Sequence, residues 1–331
     1  MIAWMKRWAV RLALTLASAC AVLLLGELLV RLWRPESLQL FQERVQGAPG
    51  ERVVKIDETY EVHPKHGIIE LDEDLGYRPV LGGKSYGPHG AKWNDYALEK
   101  PAGKKRLLFL GDSVTDRQRV MNALAARLGD GYEYWNAGVF GYATEQELIY
   151  YRDYLESIQA DHVILIFHLN DYEVTPVVFP VGDELVAVHS RVGHSRPNPF
   201  LMRESYLYRF VWAWASRRTA NARNETIESD VERNLTALRD LVQARGAEFS
   251  VLVLPWLLPG REWPAPKPRH HELTREILTR LGIRQYDFRA TLERAVGDGI
   301  VFQESTGDPQ HPSDAFAARM ADDLLAAGFR P

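Results

Sequence analysis

The stretch LLFLGDSVTDR, Leu107–Arg117, runs four apolar residues straight into Gly111-Asp112-Ser113. An apolar run of that length reads as a buried strand. The residues after it suit a sharp turn or the N-cap of a helix. A capping turn is one reading of Gly-Asp-Ser. The other is a serine nucleophile held exposed at the end of a sheet strand, and the surrounding chain has to decide between them.

Downstream, the pattern alternates. Val120, Leu124 and Leu128 recur at helical spacing and Gly129 stops the run. YEYW (Tyr132–Trp135) reads as a second strand. TEQE (Thr144–Glu147) reads as a capping box, with Leu148, Tyr151, Leu155 and Ile158 on one helical face. VILIF (Val163–Phe167) suits the centre of a parallel sheet. A helix follows over Val231, Leu235, Leu238 and Val242, then a strand at Phe249–Pro255 and a helix around Glu272–Leu281. A short strand near Gln285–Phe288 precedes a last helix starting at Ser313, with Phe316, Met320 and Leu324 inward. Strand and helix taking turns predicts an α/β fold: three layers, flavodoxin-like, with a mostly parallel five-stranded sheet and helices on both faces.

Polar motifs sit just past successive strands: GDS after the first, NAGVFG (Asn136–Gly141) after the second, HLND (His168–Asp171) after the third. Sites in open parallel sheets form outside the carboxyl ends of the strands, so these loops should converge. DPQHP (Asp308–Pro312) precedes the last helix and places Asp308 three residues from His311. A serine hydroxyl is barely ionised at neutral pH and needs such a base, and the base needs an orienting carboxylate.

In their order, GDSVT, NAGVFG, HLND and DPQHP resemble the four signature blocks of the SGNH (GDSL-type) hydrolases. The resemblance spans about Arg106 to the C-terminus, apart from one insertion. It implies a serine esterase with Ser113 as nucleophile, His311 as base and Asp308 as its partner. It also implies an oxyanion hole from the amides of Ser113 and Gly141 and the side chain of Asn170. Gly138 is then a tight-turn residue. The third block of the family usually begins with glycine; here that position is His168, expected with Gly138 to line the pocket. No cofactor and no metal are implied. Asp112 is expected to hold the loop through backbone hydrogen bonds.

The N-terminus carries a different signal. Leu12–Val30 holds nineteen residues with one charge, Glu27, and Trp8 and Trp33 stand near the ends. At about 1.5 Å per residue this approaches the roughly 30 Å hydrocarbon core. The apolar run continues past Cys20, so cleavage near Ala17–Ala19 would leave a hydrophobic stub. An uncleaved anchor in the lipid bilayer is therefore expected, with Glu27 reaching headgroups. Lys6, Arg7 and Arg11 precede the helix, which places the N-terminus in the cytoplasm and the rest outside it, as a single-pass inner-membrane protein with a periplasmic domain. Residues 1–34 are read as tail and anchor, 35–104 as a membrane-proximal spacer, and 105–331 as the hydrolase domain. An insertion at about 172–225 contains SYLYRFVWAWASRR. Its Tyr206, Phe210 and Trp214 read as a helix lying on the core, with a sugar-stacking platform as the alternative.

The remaining features exclude more than they assign. The 331 residues are 46% hydrophobic and 25% charged with net charge −4, an ordinary globular balance without a nucleic-acid surface. Cys20 is the sole cysteine, so no intrachain disulfide forms. GGKS (Gly82–Ser85) lacks both the first glycine and the leading strand of a phosphate loop. His270-His271-Glu272 lacks zinc-protease spacing, and His63, His66, His189 and His194 have no ligand set beside them. Asn224 and Asn234 match the glycosylation pattern within a helical region. The expected activity is removal of O-acetyl or other acyl groups from envelope or secreted carbohydrate, or from another ester substrate. An O-acetyltransferase with the same triad, or a non-enzymatic polysaccharide-binding or assembly protein, are the alternatives.

Overall fold

The apolar run that opens the chain's main pattern becomes a strand buried on both sides. In the computed structural model, which describes residues 2–33, 52–55, 68–181, 184–189, 191–218, 220–259 and 262–331, Leu107, Leu108, Phe109 and Leu110 have no solvent exposure.

In chain order the elements are α1 (Ile2–Trp33), β1 (Arg52–Lys55), β2 (Ile69–Asp72), β3 (Gly76–Pro79), β4 (Lys105–Gly111), α2 (Ser113–Asp116), α3 (Arg119–Leu128) and β5 (Tyr132–Gly138). Then come α4 (Thr144–Tyr154), β6 (His162–Phe167), β7 (Val177–Val181), β8 (Glu184–His189), α5 (Pro199–Glu204), α6 (Tyr206–Arg218) and α7 (Ala220–Ala244). The chain closes with β9 (Glu248–Val253), α8 (Lys267–Arg280), β10 (Arg284–Asp287), α9 (Arg289–Gly297) and α10 (Asp314–Ala326). It divides into two units, one of residues 59–175 and 226–331, the other of residues 1–58 and 176–225.

The first unit holds a five-stranded sheet in the order β10-β9-β6-β4-β5, parallel throughout. Numbered by appearance in the sheet, that is 2-1-3-4-5 read from β5, the flavodoxin-like order. The expected α/β architecture is therefore present. On one face Leu107, Phe109, Ile164, Ile166 and Leu252 meet Val120 and Leu124 of α3 and Phe316, Met320 and Leu324 of α10. The alternating positions Leu108, Leu110, Val163, Leu165, Val251 and Val253 are equally buried, so both faces are covered. Gly129 ends α3 at φ +71°, and Ser313 caps α10 by accepting from the Phe316 amide at 3.1 Å.

The expected capping box does not form: the cap falls one residue earlier, on an alanine without a side-chain acceptor, and only the return bond is made. The cap of α4 is Ala143, whose amide donates to Gln146 Oε1 at 3.2 Å, and Glu147 is buried instead of facing the cap. α9, which follows β10 directly, was not foreseen.

Of the spacer 35–104, expected to be irregular, residues 68–104 form the β2–β3 hairpin and a run of turns pinned to the sheet, and its earlier part, β1 apart, lies outside the described residues. The main pin is Arg106, wholly buried: its guanidinium donates to Glu133 at 2.6 Å and to the carbonyls of Ala97, Leu98 and Ile158 at 2.8 Å each. It also lies over the Trp135 ring at 5.3 Å. Glu133 and the three carbonyl dipoles together compensate the buried charge.

The second unit contains the antiparallel sheet β1-β8-β7, with Val177, Phe179, Val186 and Val188 packed on Met202, Tyr208 and Trp212. Its α1 is the one helix among the described residues long and apolar enough to cross a membrane, Trp4–Trp33, whose most apolar 18 residues have a mean hydropathy of 2.2. Glu27, expected to reach headgroups, has its carboxylate engaged within the protein. Its carboxylate accepts from Ser205 Oγ at 2.8 Å and from the amides of Tyr206 and Leu207 at 2.9 and 2.8 Å, so it caps the start of α6. Tyr206 and Phe210 face α1 rather than a core: Arg31 lies 4.8 Å above Tyr206 and Trp33 is 5.9 Å from Phe210.

Candidate active site

Ser113 is the first residue of α2, reached through a turn that only a narrow set of residues permits. Gly111 sits at φ +148°, and a Cβ there would meet Thr115 Oγ1 at 2.2 Å and the Ile166 carbonyl at 2.9 Å. Asp112 then caps α2 by accepting from the Val114 amide at 2.8 Å. Gly138, at the end of the neighbouring β5, lies so close beneath α2 that a Cβ would be 2.3 Å from the Asp116 amide nitrogen. Turn and glycine together fix where the serine hydroxyl stands.

Across 198 sequence positions, Ser113 Oγ lies 2.9 Å from His311 Nε2. His311 Nδ1 lies 2.8 Å from Asp308 Oδ2, while Asp308 Oδ1 accepts from the amides of Gln310 and His311 at 2.9 and 3.2 Å. The Nδ1 proton donated to Asp308 leaves the Nε2 lone pair facing the serine, the tautomer that base catalysis requires. Burial works against the Asp308 charge, but the Gln310 amide and the His311 imidazole outweigh it and hold the carboxyl below its ordinary value. The loop carrying both residues is braced by the segment after β9: the Leu257 amide donates to the Pro309 carbonyl at 2.8 Å, and Gln303 donates to the Leu257 carbonyl at 2.7 Å.

The amides of Ser113 and Gly141 have no acceptor among the described residues. Gly141 adopts φ +68°, with Tyr77 Oη 2.7 Å from where a Cβ would be; the same hydroxyl donates to the Phe140 carbonyl at 2.7 Å. The Val139 amide ties this loop to the Gly111 carbonyl at 3.0 Å.

Asn170 Nδ2 donates to Asp112 Oδ2 at 2.8 Å, and its Oδ1 accepts from His168 Nδ1 at 2.6 Å. Those two bonds set which end of the amide carries the hydrogens, and one N–H remains beyond the bond to Asp112. Burial pushes the His168 pKa down to about 3, so the ring is neutral and the donor role falls to Nδ1. Burial, opposed by the Asn170 and Val114 bonds, pushes the Asp112 carboxyl up to about 6.

The pocket-lining expectation for His168 and Gly138 is corrected by their burial. His168 has no solvent exposure and stacks on Trp256 at 5.5 Å; Gly138 lies under α2. His168 supports Asn170 from behind. Asp112 does hold its loop, and beyond the backbone it also orients Asn170.

Several residues around the site were not singled out in the sequence. The Tyr86 hydroxyl shares its one proton between the Gly138 carbonyl at 2.6 Å and Asp116 at 2.8 Å, and Lys92 pairs with Asp116 at 2.7 Å. Lys267 donates to the Leu169 carbonyl at 2.7 Å and lies 4.7 Å over the Trp256 ring. Only the Trp following the fourth strand run gave a local signal; the others are contacts between distant segments. Glu304, Asp308 and His311 bring donor atoms within 4.8 Å of one another. Glu304 is held by Arg117 and by Arg119, the latter at 2.7 Å, and both nitrogens of His311 face protein partners. The trio is thus an ion-pair and hydrogen-bond network around the imidazole.

No protein-family model matches the chain, and no curated protein sequence matches it. Among solved structures, it is similar to Axe2, an acetylxylan esterase from Geobacillus stearothermophilus, at 15% identity and TM-score 0.45, over 69% of this chain and 96% of that one. It is also similar to LAE5, an alpha/beta hydrolase enzyme from the metagenome of Lake Arreo, at 17% identity and TM-score 0.44, over 69% and 96%. A third, the acetyl xylan esterase AlAXEase, gives 16% identity and TM-score 0.44 over 68% and 100%. Identity this low leaves the chemistry to be read from the site itself.

Proposed function

We propose that the chain is a serine ester hydrolase working through an acyl-enzyme. The observation that carries this is the unbroken relay Ser113 Oγ to His311 Nε2 at 2.9 Å and His311 Nδ1 to Asp308 Oδ2 at 2.8 Å, beside amides that have no acceptor among the described residues. Ser113 Oγ attacks the ester carbonyl carbon as His311 Nε2 takes its proton. The carbonyl oxygen becomes an anion received by the amides of Ser113 and Gly141 and by the remaining N–H of Asn170. His311 then returns the proton to the departing alcohol, which leaves an acyl group on Ser113. A water deprotonated by His311 hydrolyses that ester and regenerates the serine. Asp308 keeps the tautomer and stabilises the imidazolium.

The substrate class we assign is O-acylated carbohydrate outside the cytoplasm. Its support is the apolar helix α1, which as an uncleaved anchor with Lys6, Arg7 and Arg11 on the cytoplasmic side would present the sheet-bearing unit to the cell envelope. The test is labelling of the purified protein with a serine-directed fluorophosphonate. Labelling abolished in Ser113→Ala and retained in a surface serine variant supports the proposal. Well-folded wild type that takes no label refutes it.

A further inference from the structure

We propose that α5 and α6 form a second, interfacial membrane contact that seats in the phospholipid headgroup region beside α1. The inference rests on α1 being a membrane-spanning anchor. The start of α6 is fixed to α1 inside the apolar span: Glu27 holds Ser205, Tyr206 and Leu207, and Leu207 touches Gly26, with a side-chain carbon 3.1 Å from the position a Cβ would occupy. Gly26 lies seven residues before Trp33, the aromatic at the end of the span. At 1.5 Å per residue, that puts the α6 start about 10 Å inward of Trp33 along the helix. A segment tied at that depth cannot leave the bilayer boundary while α1 spans it.

The outward residues of the two helices suit that position. Phe200 is 60% exposed, and Val211 and Trp214 are 50% exposed each. The other faces of α6 are occupied: Tyr208 and Trp212 pack on the β7–β8 cluster, and Arg209, Ala213 and Ser216, opposite the exposed pair, are buried. Cations stand on the outward rings, Arg203 at 5.8 Å from Phe200 and Arg218 at 4.3 Å from Trp214. Aromatic rings paired with guanidinium groups match the headgroup layer, where the ring body is apolar and phosphate lies within reach of the charge. Of the aromatic stripe, Tyr206 and Phe210 are taken up against α1 and Trp214 joins the membrane collar, which leaves no sugar platform.

The sole cysteine makes the test direct. In a Cys20→Ser full-length chain reconstituted into phosphatidylcholine–phosphatidylglycerol vesicles, a nitroxide is placed at Phe200→Cys or Val211→Cys. Leu23→Cys serves as the in-span reference and Val301→Cys, 71% exposed, as the aqueous one. Collision with oxygen versus a water-soluble nickel chelate reports depth. Labels at 200 and 211 that read as shallow lipid, between the two references, support the collar. Labels at 200 and 211 that match Val301 while Leu23 reads as lipid overturn the collar and leave the anchor standing. An aqueous Leu23 label removes the anchor and the collar together. Quenching of Trp214 fluorescence by brominated lipid, taken as the difference from Trp214→Phe, repeats the measurement without a label; no difference counts against the collar.

Discussion

Replacing Asn170 by alanine removes three interactions at once. Two of them are visible as hydrogen bonds, to Asp112 at 2.8 Å and from His168 at 2.6 Å. The third is the N–H assigned to the reacting oxygen. Loss of one oxyanion donor costs about 2.7–4 kcal/mol of transition-state stabilisation, or about 10²–10³ in kcat. The bonds to Asp112 and His168 affect stability instead: two buried groups lose their partner at about 1–3 kcal/mol each. That total stays within the roughly 5–15 kcal/mol of a typical domain, so the variant should remain folded at 25 °C with a lowered urea midpoint. The assay is steady-state hydrolysis of p-nitrophenyl acetate alongside urea denaturation. Expected are a kcat lower by about two to three orders of magnitude and a KM changed little, since the donor engages an oxyanion that exists only after attack. His168→Ala leaves the donor but frees its orientation, so its kcat should fall between Asn170→Ala and wild type. A folded Asn170→Ala enzyme within about threefold of wild-type kcat would remove Asn170 from the site and, with it, the account of His168.

Other consequences follow from buried charge and close packing. Arg106→Met should cost about 3–5 kcal/mol, because Glu133 and three carbonyls lose their donor; the urea midpoint reports it, and the double variant with Glu133→Leu should recover part of the loss. Gly138→Ala places a methyl against the backbone of Thr115 and Asp116, so it should displace α2 and suppress fluorophosphonate labelling even in protein that retains native circular dichroism. The buried Glu147 carboxyl has no hydrogen-bond partner among the described residues, and burial together with the Asp112 charge raises its pKa well above 4.5. The folded chain then keeps a proton that the unfolded chain has lost, so stability falls as pH rises from about 4.5 through the folded pKa. Glu147→Gln removes that dependence, and its stability relative to wild type should improve between pH 5 and pH 8; an equal difference at both values contradicts the assignment.

The sheet was legible because its strands are apolar enough to be buried on both faces, and the helices between them keep one-sided spacing. Ser313, Gly129 and the GDS turn were readable for local reasons: a cap, a left-handed stop and a glycine-permitted bend. What escaped was decided elsewhere in the chain. TEQE has the letters of a capping box, yet Gln146 also donates to the Leu75 carbonyl at 2.8 Å, and that distant bond fixes the register in favour of Ala143. The strands β7 and β8 lie in a proline-rich stretch, and the β2–β3 hairpin in a glycine-rich one, where composition argues for loops. Gly and Pro there mark edges and turns of small antiparallel sheets. The approach of Asp308 to His311 was readable from their spacing, whereas Ser113, 198 positions from His311, was joined to them only by the resemblance of the four motifs. The role of His168 was not readable, because nothing local shows that its ring is buried behind Asn170.

The central claim is that an acyl group passes through Ser113. Rapid acid quenching of the enzyme turning over p-nitrophenyl acetate, followed by peptide mass spectrometry, tests it directly. An acetyl group on the peptide containing Ser113, absent from Ser113→Ala, is the result predicted. Sustained turnover with Ser113 unmodified, or undiminished in Ser113→Ala, would contradict it.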